Sequence, residues 1–147
     1  MTFILVDTCI FIRLEGKYKT TLDCFLATQD VIAITQKILD EYEGRARYVR
    51  LLLQSFLQKL NHKGKLKKFT RSFIEAAVRR HGNVRQINYP NHNKDRKWIK
   101  VAIATKGKYI ISTNQHLLRL APNRCNSDTI ETIDPSQYVM IRCPNNN

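Results

Sequence analysis

Short apolar segments, separated by stretches with the period of a helix, constrain the fold of this chain more than any other feature. Phe3–Val6 and Val31–Ile34 contain only apolar residues, a pattern typical of strands buried on both faces of a parallel sheet. Residues 109–112 and 129–133 have the composition of two further strands. Because these strands alternate with helices along the chain, the sequence predicts an α/β sandwich around a mainly parallel sheet.

Helices are predicted between and after these strands. Thr35 is a good N-cap for one of them, and apolar residues at helical spacing define the others. The predicted helices cover residues 8–14, 21–27, the segment after Thr35, and residues 48–60, 72–80, 95–105 and 115–120. Residues 61–68 are predicted to form a turn, residues 84–88 a weak strand, and residues 144–147 a frayed polar tail.

Length and composition narrow the class of protein. The 147 residues predict one domain, spanning 1–147, that is large enough to enclose a hydrophobic core. No apolar run approaches the roughly 20 residues that a membrane span needs, so we expect no membrane partner. The N-terminal residues include an acid where a signal peptide would be apolar. The four cysteines are widely scattered and form no C-x-x-C pair, which predicts reduced thiols and a cytoplasmic protein.

Positive charge is concentrated in one part of the chain. The formal net charge is +13, with 25 Lys and Arg against 12 Asp and Glu. Residues 44–80, here called the basic segment, are predicted to be helical and contain eleven Lys and Arg but one acid, Glu75. This asymmetry predicts a nucleic-acid-binding surface, while a solvated helical face or a dock for an acidic protein are the alternatives. The residues expected to contact the phosphate backbone are Arg45, Arg47, Arg50, Lys63, Lys65, Lys67, Lys68 and Arg71.

Four polar residues are predicted to meet at one edge of the sheet. Asp7 directly follows the first strand, and Asn114 lies at the corresponding end of the strand at residues 109–112, where ligands of such sheets bind. Glu41 lies in the helix after the second strand, and Asp95 opens a helix whose positive N-terminal end would face the same rim. Clustered carboxylates repel one another unless a hard cation lies between them. The four oxygen donors therefore predict a Mg²⁺ or Mn²⁺ site that supports phosphodiester hydrolysis.

Each of these residues also has a simpler structural explanation. Asp7 and Asp95 could cap the helices that follow them, and Asn114 could be an ordinary N-cap after a strand. Glu41 could belong to a solvated acidic turn. For each residue taken singly, helix capping or a solvated position is a simpler explanation than a catalytic role. The shared placement at strand ends, together with the basic segment, favours catalysis.

A resemblance to PIN-domain proteins is carried by the segments FILVDTCIFI, ITQKILDEYEG and NKDRKWIKVAIATKGKYIISTNQHLL, and by a terminal strand followed by DPSQYV. It covers nearly the whole chain and is nearest to the prokaryotic PIN proteins, which include VapC-like toxins of toxin–antitoxin pairs. The resemblance implies a Rossmann-like three-layer α/β/α sandwich and a Mg²⁺- or Mn²⁺-dependent endoribonuclease. The partners it implies are RNA and an acidic antitoxin, and it leaves a homodimer open. By motif match, the catalytic and metal-binding residues would be Asp7, Glu41, Asp95 and Asn114.

Two positions depart from the usual PIN pattern. Asn114 stands where the fourth acid is usual, and its neutral carbonyl would hold a second metal ion more weakly. Cys9 stands where many relatives have a small polar residue, while Thr8 and Ser112 retain hydroxyl groups that could position water. Two alternatives to the ribonuclease therefore stay open. One is a catalytically inactive RNA-binding or scaffolding module of the same fold, and the other is a toxin whose basic segment mainly binds an acidic antitoxin.

Overall fold

The centre of the molecule is a six-stranded sheet in which five strands run parallel. The computed structural model describes residues 1–14, 16–125 and 128–146. In chain order the strands are β1 (Phe3–Val6), β2 (Val31–Ile34), β3 (Leu66–Lys68), β4 (Tyr109–Ile111), β5 (Asn123–Cys125) and β6 (Asp128–Ile133). Their order across the sheet is β3-β2-β1-β4-β6-β5, and β5 pairs antiparallel with β6.

Helices cover both faces of this sheet. In the described residues they are α1 (Thr8–Phe11), α2 (Lys19–Ala27), α3 (Gln36–Arg45), α4 (Arg50–His62), α5 (Arg71–Gly82), α6 (Arg96–Thr105), α7 (Gln115–Leu118) and α8 (Pro135–Arg142). Short 3₁₀ turns occupy Asn93–Asp95 and Pro144–Asn146. Every residue of β2 and β4 is buried, which requires cover on both faces. The predicted fold class, a three-layer α/β/α sandwich with a mainly parallel sheet, is confirmed.

The direction in which the chain crosses the sheet reverses between β1 and β4. β2 and β3 extend the sheet on one side of β1, whereas β4 and β6 extend it on the other. Val6 pairs with Ile111 in register, and the backbone N–H of Asp7 donates to the Ile111 carbonyl at 2.9 Å. The residues that follow β1 and β4 therefore meet at one edge. In open α/β sheets this switch point is where ligands bind.

The elements with the clearest apolar or capping pattern in the sequence have nearly the bounds that were predicted for them. β1 and β2 have the predicted bounds, and α2, α4, α5 and α7 differ from prediction by a few residues at their ends. Thr35 caps α3 as predicted, because its Oγ1 accepts from the Ile38 N–H at 3.2 Å. α1 is shorter than predicted, since it ends at Phe11 and residues 12–14 form a turn.

Two predictions for the basic segment and the loop after it are wrong. Residues 61–68 were predicted to form a turn, but α4 extends to His62 and β3 begins at Leu66, so the turn is confined to the residues between them, where Gly64 adopts a φ of 70°. Lysines are common on such edge strands because their charge blocks pairing with a further strand. Their polar character also means that the sequence of β3 lacks the apolar pattern from which a strand is predicted. Residues 84–88 form no strand. The backbone of Asn88 instead bonds the side chain of Asn123, donating at 2.7 Å and accepting at 3.0 Å.

The C-terminal region contains two elements that the sequence analysis missed. β5 is short and polar, so its residues carry no strand pattern. α8 has a clear signal: Asp134 and Gln137 form a reciprocal capping box, and Pro135 opens the helix. Residues 144–146 form a 3₁₀ turn rather than a frayed tail, and Asn147 lies outside the described residues.

A disulfide bond joins Cys24 in α2 to Cys143 after α8, with 6.1 Å between the Cα atoms. The prediction of four reduced thiols is therefore wrong for this pair, while Cys9 and Cys125 are free. Sequence separation concealed the pair, because the two positions are 119 residues apart in sequence and only the packing of α2 against α8 brings them together. None of the helices in the described part of the chain has the length and apolar character needed to cross a membrane.

Candidate active site

One recess of about 240 Å³ lies at the carboxyl ends of β1 and β4 and is lined by all four predicted residues. We call it the acidic recess. Asp7 follows β1, Glu41 comes from α3, Asp95 precedes α6, and Asn114 precedes α7. The predicted convergence at the strand ends is therefore present. The catalytic and metal-binding roles of the four residues stay predictions.

Asp7 is held rigidly at the base of the acidic recess, where it is 7% exposed. Its Oδ1 accepts from the Thr8 N–H at 2.7 Å, so it caps α1 as the simpler explanation proposed. Its Oδ2 accepts from the Ser112 hydroxyl at 2.6 Å, and that hydroxyl in turn accepts from the Asn114 N–H at 2.9 Å. These bonds tie the ends of β1 and β4 together through one carboxylate.

Burial makes the charge of Asp7 unfavourable. Desolvation raises the pKa of the Asp7 carboxyl above its usual value of 3.8, and the negative charges of Glu41 and Asp95 raise it further. Hydrogen bonds from Ser112 and Thr8 lower the pKa without reversing this effect. A cation near Asp7 would stabilise its ionised form.

Glu41 has a cationic partner within the recess. Lys97 Nζ lies 2.7 Å from Glu41 Oε1 and also donates to the Lys94 carbonyl at 2.6 Å. The other carboxylate oxygen of Glu41 accepts from the Thr8 hydroxyl. Burial alone would raise the pKa of Glu41, but the bonds from Lys97 and Thr8 outweigh it, so its pKa is lowered. Glu41 is therefore a fixed, ionised group rather than part of a solvated acidic turn.

Asp95 and Asn114 use their side chains differently. Asn114 Oδ1 accepts from the His116 N–H at 2.9 Å and caps α7. Asp95 occupies the N-cap position of α6, but its side chain forms no capping hydrogen bond. The capping alternative therefore holds for Asn114 and not for Asp95. Asp95 lines the recess, and within the described residues its carboxylate forms no hydrogen bond or ion pair.

Three cationic side chains line the acidic recess together with its three carboxylates: Arg45, Lys94 and Lys97. Arg45 was predicted to contact RNA, whereas the sequence analysis missed Lys94 and Lys97. Their only local signal is the position beside Asp95, and the ion pair of Lys97 with Glu41 depends on the packing of α6 near α3. The recess thus combines oxygen donors with positive charge, as a site for a phosphate group requires.

Buried aromatic side chains pack beneath the recess. Trp98 lines it while being 1% exposed, and the Trp98 ring stacks on Tyr42 with 6.4 Å between centroids. Tyr42 is fully buried, and its hydroxyl donates to the Val6 carbonyl. Phe11 packs edge-on against Tyr42 at 4.8 Å. This apolar packing explains why desolvation dominates the pKa of Asp7.

The predicted phosphate-binding residues do not form one surface. Arg45 lines the acidic recess, and Arg47, between α3 and α4, and Arg50, the first residue of α4, are exposed. Lys63 and Lys65 precede β3 and so lie at the amino edge of the sheet, opposite the recess, where Lys65 donates to the Leu26 carbonyl. The three other members are occupied by neighbours: Lys67 lies over the Phe3 and Phe69 rings, Lys68 donates to Gln36, and Arg71 pairs with Glu75 at 2.8 Å.

The donor chemistry of the recess fits a hard divalent cation, because its carboxylates supply the oxygen ligands that Mg²⁺ and Mn²⁺ prefer. The raised pKa of Asp7 points in the same direction, since a cation would compensate the buried charge. As arranged, no three His, Cys, Asp or Glu side chains within residues 1–14, 16–125 and 128–146 stand close enough to hold an ion. A cation that bound Glu41 Oε1 would compete with the Lys97 ammonium group, which lies 2.7 Å from that oxygen.

No protein-family model matches this chain, and no curated protein with which it was compared matches it either. The resemblance to PIN-domain proteins therefore stays a prediction that rests on the residues of this chain alone.

Proposed function

We propose that this protein is a Mg²⁺- or Mn²⁺-dependent endoribonuclease of the PIN type, which hydrolyses phosphodiester bonds in RNA. One observation carries the proposal: carboxylates from three separate elements line one recess at the switch point of the sheet, together with three cationic side chains. A purely structural acidic cluster would need no such concave site. The oxygen donors suit a hard cation, and the basic groups suit the phosphate of a substrate.

Asp7, Glu41 and Asp95 are the residues proposed to hold the cation, with Asn114 at the rim. A divalent ion bound there would supply water activation and stabilisation of the leaving oxygen. Ser112 fixes Asp7 through its 2.6 Å hydrogen bond. Lys94, Lys97 and Arg45 line the same recess and would hold the negatively charged backbone of the substrate against it.

The RNA strand is proposed to leave the recess past Arg45 towards Arg47 and Arg50. These three arginines lie within six residues of sequence, and all are exposed. Lys63 and Lys65, at the amino edge of the sheet, are too far round the molecule to continue the same path. The proposed RNA-binding surface is therefore smaller than the basic segment.

A catalytically inactive RNA-binding module is the second candidate, because two features of the recess favour it. Lys97 already neutralises Glu41 at 2.7 Å. Asn114 uses its carbonyl oxygen as a helix cap, so it has less capacity to bind a metal ion. Both features are compatible with a PIN-like fold that binds RNA without cleaving it.

An acidic antitoxin is the second proposed partner. Tyr48 and Leu51 are 99% and 80% exposed, and they lie beside Arg47 and Arg50 at the start of α4. Exposed apolar side chains with a basic rim suit an acidic, amphipathic protein segment. The protein would then be the toxin of a toxin–antitoxin pair. A second copy of the chain, forming a homodimer, is the alternative occupant of this patch.

We propose the cytoplasm as the compartment, because the proposed substrate is RNA. The Cys24–Cys143 disulfide is the observation against it, since the cytoplasm keeps most protein thiols reduced.

Cleavage of RNA in Mn²⁺ and in EDTA tests the proposed activity. We expect total RNA to be cut with Mg²⁺ or Mn²⁺ and left intact with EDTA. Asp7→Asn and Asp95→Asn should abolish cutting, because each removes a charged ligand, and both should keep the circular dichroism spectrum of the wild type. Asp23→Asn, an exposed acid in α2, is the matched control. Cutting that persists in EDTA or in both variants would contradict the proposal, and no cutting with either metal would favour the inactive module.

A further inference from the structure

A second cleft, which we call the threonine cleft, adjoins the acidic recess. Thr113 lines both, and its hydroxyl lies 3.3 Å from Cys9 Sγ, which belongs to the recess. The threonine cleft has a volume of about 440 Å³, against about 240 Å³ for the acidic recess. A ligand that fills the recess and extends past Thr113 therefore enters a larger space that the recess chemistry leaves unused.

The walls of the threonine cleft combine hydroxyl groups with apolar surface. Thr20, Thr21 and Ser136 contribute hydroxyl groups, which both donate and accept hydrogen bonds. The apolar side chains of Tyr18 and Val139, both largely buried, also line the cleft. A planar heterocycle with polar edges matches such a lining, because its faces need apolar contact and its edges need hydrogen-bond partners.

Among the described residues that line the threonine cleft, charged side chains are few and of both signs. Lys17 supplies one exposed ammonium group, and Asp134 supplies one carboxylate. A site for a polyanion would carry several cations. One cation suits a single phosphate group, while a carboxylate suits the exocyclic amino group of a base.

The two walls of the threonine cleft are fixed relative to each other. One wall comes from residues 17–21 at the start of α2 and the other from α8. The Cys24–Cys143 disulfide joins the two parts of the chain, and Arg142 pairs with the buried Asp30 at 2.8 Å. Tyr138 in α8 also donates to Asp30 at 2.8 Å. These bonds link α8 to α2 and to the residue that precedes β2, and walls that are linked before a ligand arrives reduce the entropic cost of binding.

We propose that the threonine cleft binds one unstacked nucleotide of an RNA strand, adjacent to the phosphodiester bond that occupies the acidic recess. The inference rests on the proposed ribonuclease function, since the recess determines what extends past Thr113. The base would lie among Tyr18, Thr21 and Val139, and Lys17 would contact its phosphate. Proteins that read single-stranded RNA hold splayed bases in this way, so the cleft would determine which nucleotide flanks the cut.

Nucleotide binding is tested first on the wild-type protein, so that no substitution is needed. The four nucleoside 5′-monophosphates are titrated in EDTA while amide signals are followed by nuclear magnetic resonance. We expect shifts at Thr20 and Ser136, which line the threonine cleft and not the acidic recess, and we expect them to be larger for some bases than for others. Shifts confined to the acidic recess, or shifts of these amides with an acidic peptide and not with nucleotides, would overturn the proposal.

Two variants then test the cleft by independent means. Ser136→Phe fills it, and Lys17→Ala removes its ammonium group; each should weaken binding of a fluorescent RNA 12-mer in EDTA by about tenfold. The matched controls are Thr129→Phe on the exposed part of β6 and Lys19→Ala on the exposed side of α2. Mn²⁺ affinity should not change in any of them. Binding equal to the wild type in both cleft variants would overturn the proposal.

Two results distinguish an error in the proposed nucleotide cleft from an error in the proposed ribonuclease activity. Wild-type protein that cuts RNA with Mn²⁺ but shows no nucleotide shifts at the cleft refutes the cleft alone. Wild-type protein that binds nucleotides at the cleft but cuts no RNA with any metal refutes the nuclease and supports the cleft.

Discussion

Lys97 and Glu41 form an ion pair of 2.7 Å inside the acidic recess, with the Lys97 side chain 14% exposed and the Glu41 side chain 27% exposed. Lys97 is thus one of three cationic side chains that line the recess, and within the described residues it is the one that forms an ion pair with a carboxylate there. It competes with any divalent cation for Glu41. This competition makes the pair the most direct place to test what the recess binds.

Replacing Lys97 with Ala should tighten Mn²⁺ binding by about fivefold, because an ion pair worth up to about 1 kcal/mol no longer has to be broken. Isothermal titration calorimetry measures the affinity. Lys100→Ala, an exposed lysine one turn further along α6, is the control and should leave the affinity unchanged. Weaker Mn²⁺ binding in Lys97→Ala would instead show that Lys97 holds Glu41 in its binding position.

Asp7→Asn should make the metal-free protein more stable at neutral pH. The pKa of Asp7 is raised in the folded state, so the folded protein holds that proton more tightly than the unfolded chain does. Wild-type stability must therefore fall, relative to the variant, as the pH rises through and above the ordinary value of 3.8. We expect a Tm about 4 °C higher for the variant at pH 7 and no difference at pH 3, measured in EDTA. A difference that is independent of pH contradicts this explanation.

Mn²⁺ should raise the Tm of the wild-type protein and leave that of Asp7→Asn nearly unchanged. A ligand that binds only the folded state stabilises it by about 2.7 kcal/mol at 100 times its Kd. Differential scanning fluorimetry across a Mn²⁺ titration measures the shift, and Ca²⁺ tests whether any hard cation suffices. Equal shifts in both proteins would place the bound ion outside the recess.

Asn114→Asp should tighten metal binding without loss of the α7 cap, because an aspartate oxygen can accept from the His116 N–H as the amide oxygen does. The added carboxylate supplies the charge that the amide lacks. We expect higher RNA cleavage at low Mn²⁺ concentration and an unchanged Tm in EDTA. A drop in both metal affinity and cleavage rate would show that the neutral amide is a fitted part of the site.

Salt dependence should separate the two halves of the basic segment. Replacing Arg45, Arg47 and Arg50 with Ala should reduce the slope of log K against log salt for RNA by about 2 to 3, since each lost phosphate contact removes roughly one unit. Replacing Lys63 and Lys65, at the opposite edge of the sheet, should leave the slope unchanged. The reverse result would move the RNA path to the amino edge.

Reduction of the disulfide should destabilise the protein. Under non-reducing conditions, titration with a thiol reagent in denaturant should detect Cys9 and Cys125 only, and all four cysteines after reduction. Cys143→Ser should lower the free energy of unfolding by about 2 to 4 kcal/mol, because the bond closes a long loop. Four free thiols in protein purified without reductant would contradict the disulfide.

The sequence by itself determined the strands that are buried on both faces and the residues that end them. β1 and β2 are short runs of apolar side chains, a pattern typical of strands in the interior of a parallel sheet. Asp7 follows such a run directly, and so its place at a strand end was predictable. The α/β class and the convergence of Asp7, Glu41, Asp95 and Asn114 follow from that placement together with the strand-end rule.

Only the tertiary structure decided the pairing of residues that are far apart in sequence. The ion pair of Lys97 with Glu41 and the disulfide of Cys24 with Cys143 join separate helices, and no local pattern specifies either contact. The division of the basic segment is of the same kind: β3 carries its lysines along the edge of the sheet, so neighbours in sequence end at opposite edges. Local sequence determines which secondary structure a segment forms, because hydrophobic periodicity and helix caps act over a few residues. Which charges meet depends on how the finished elements pack, and that is a property of the whole chain.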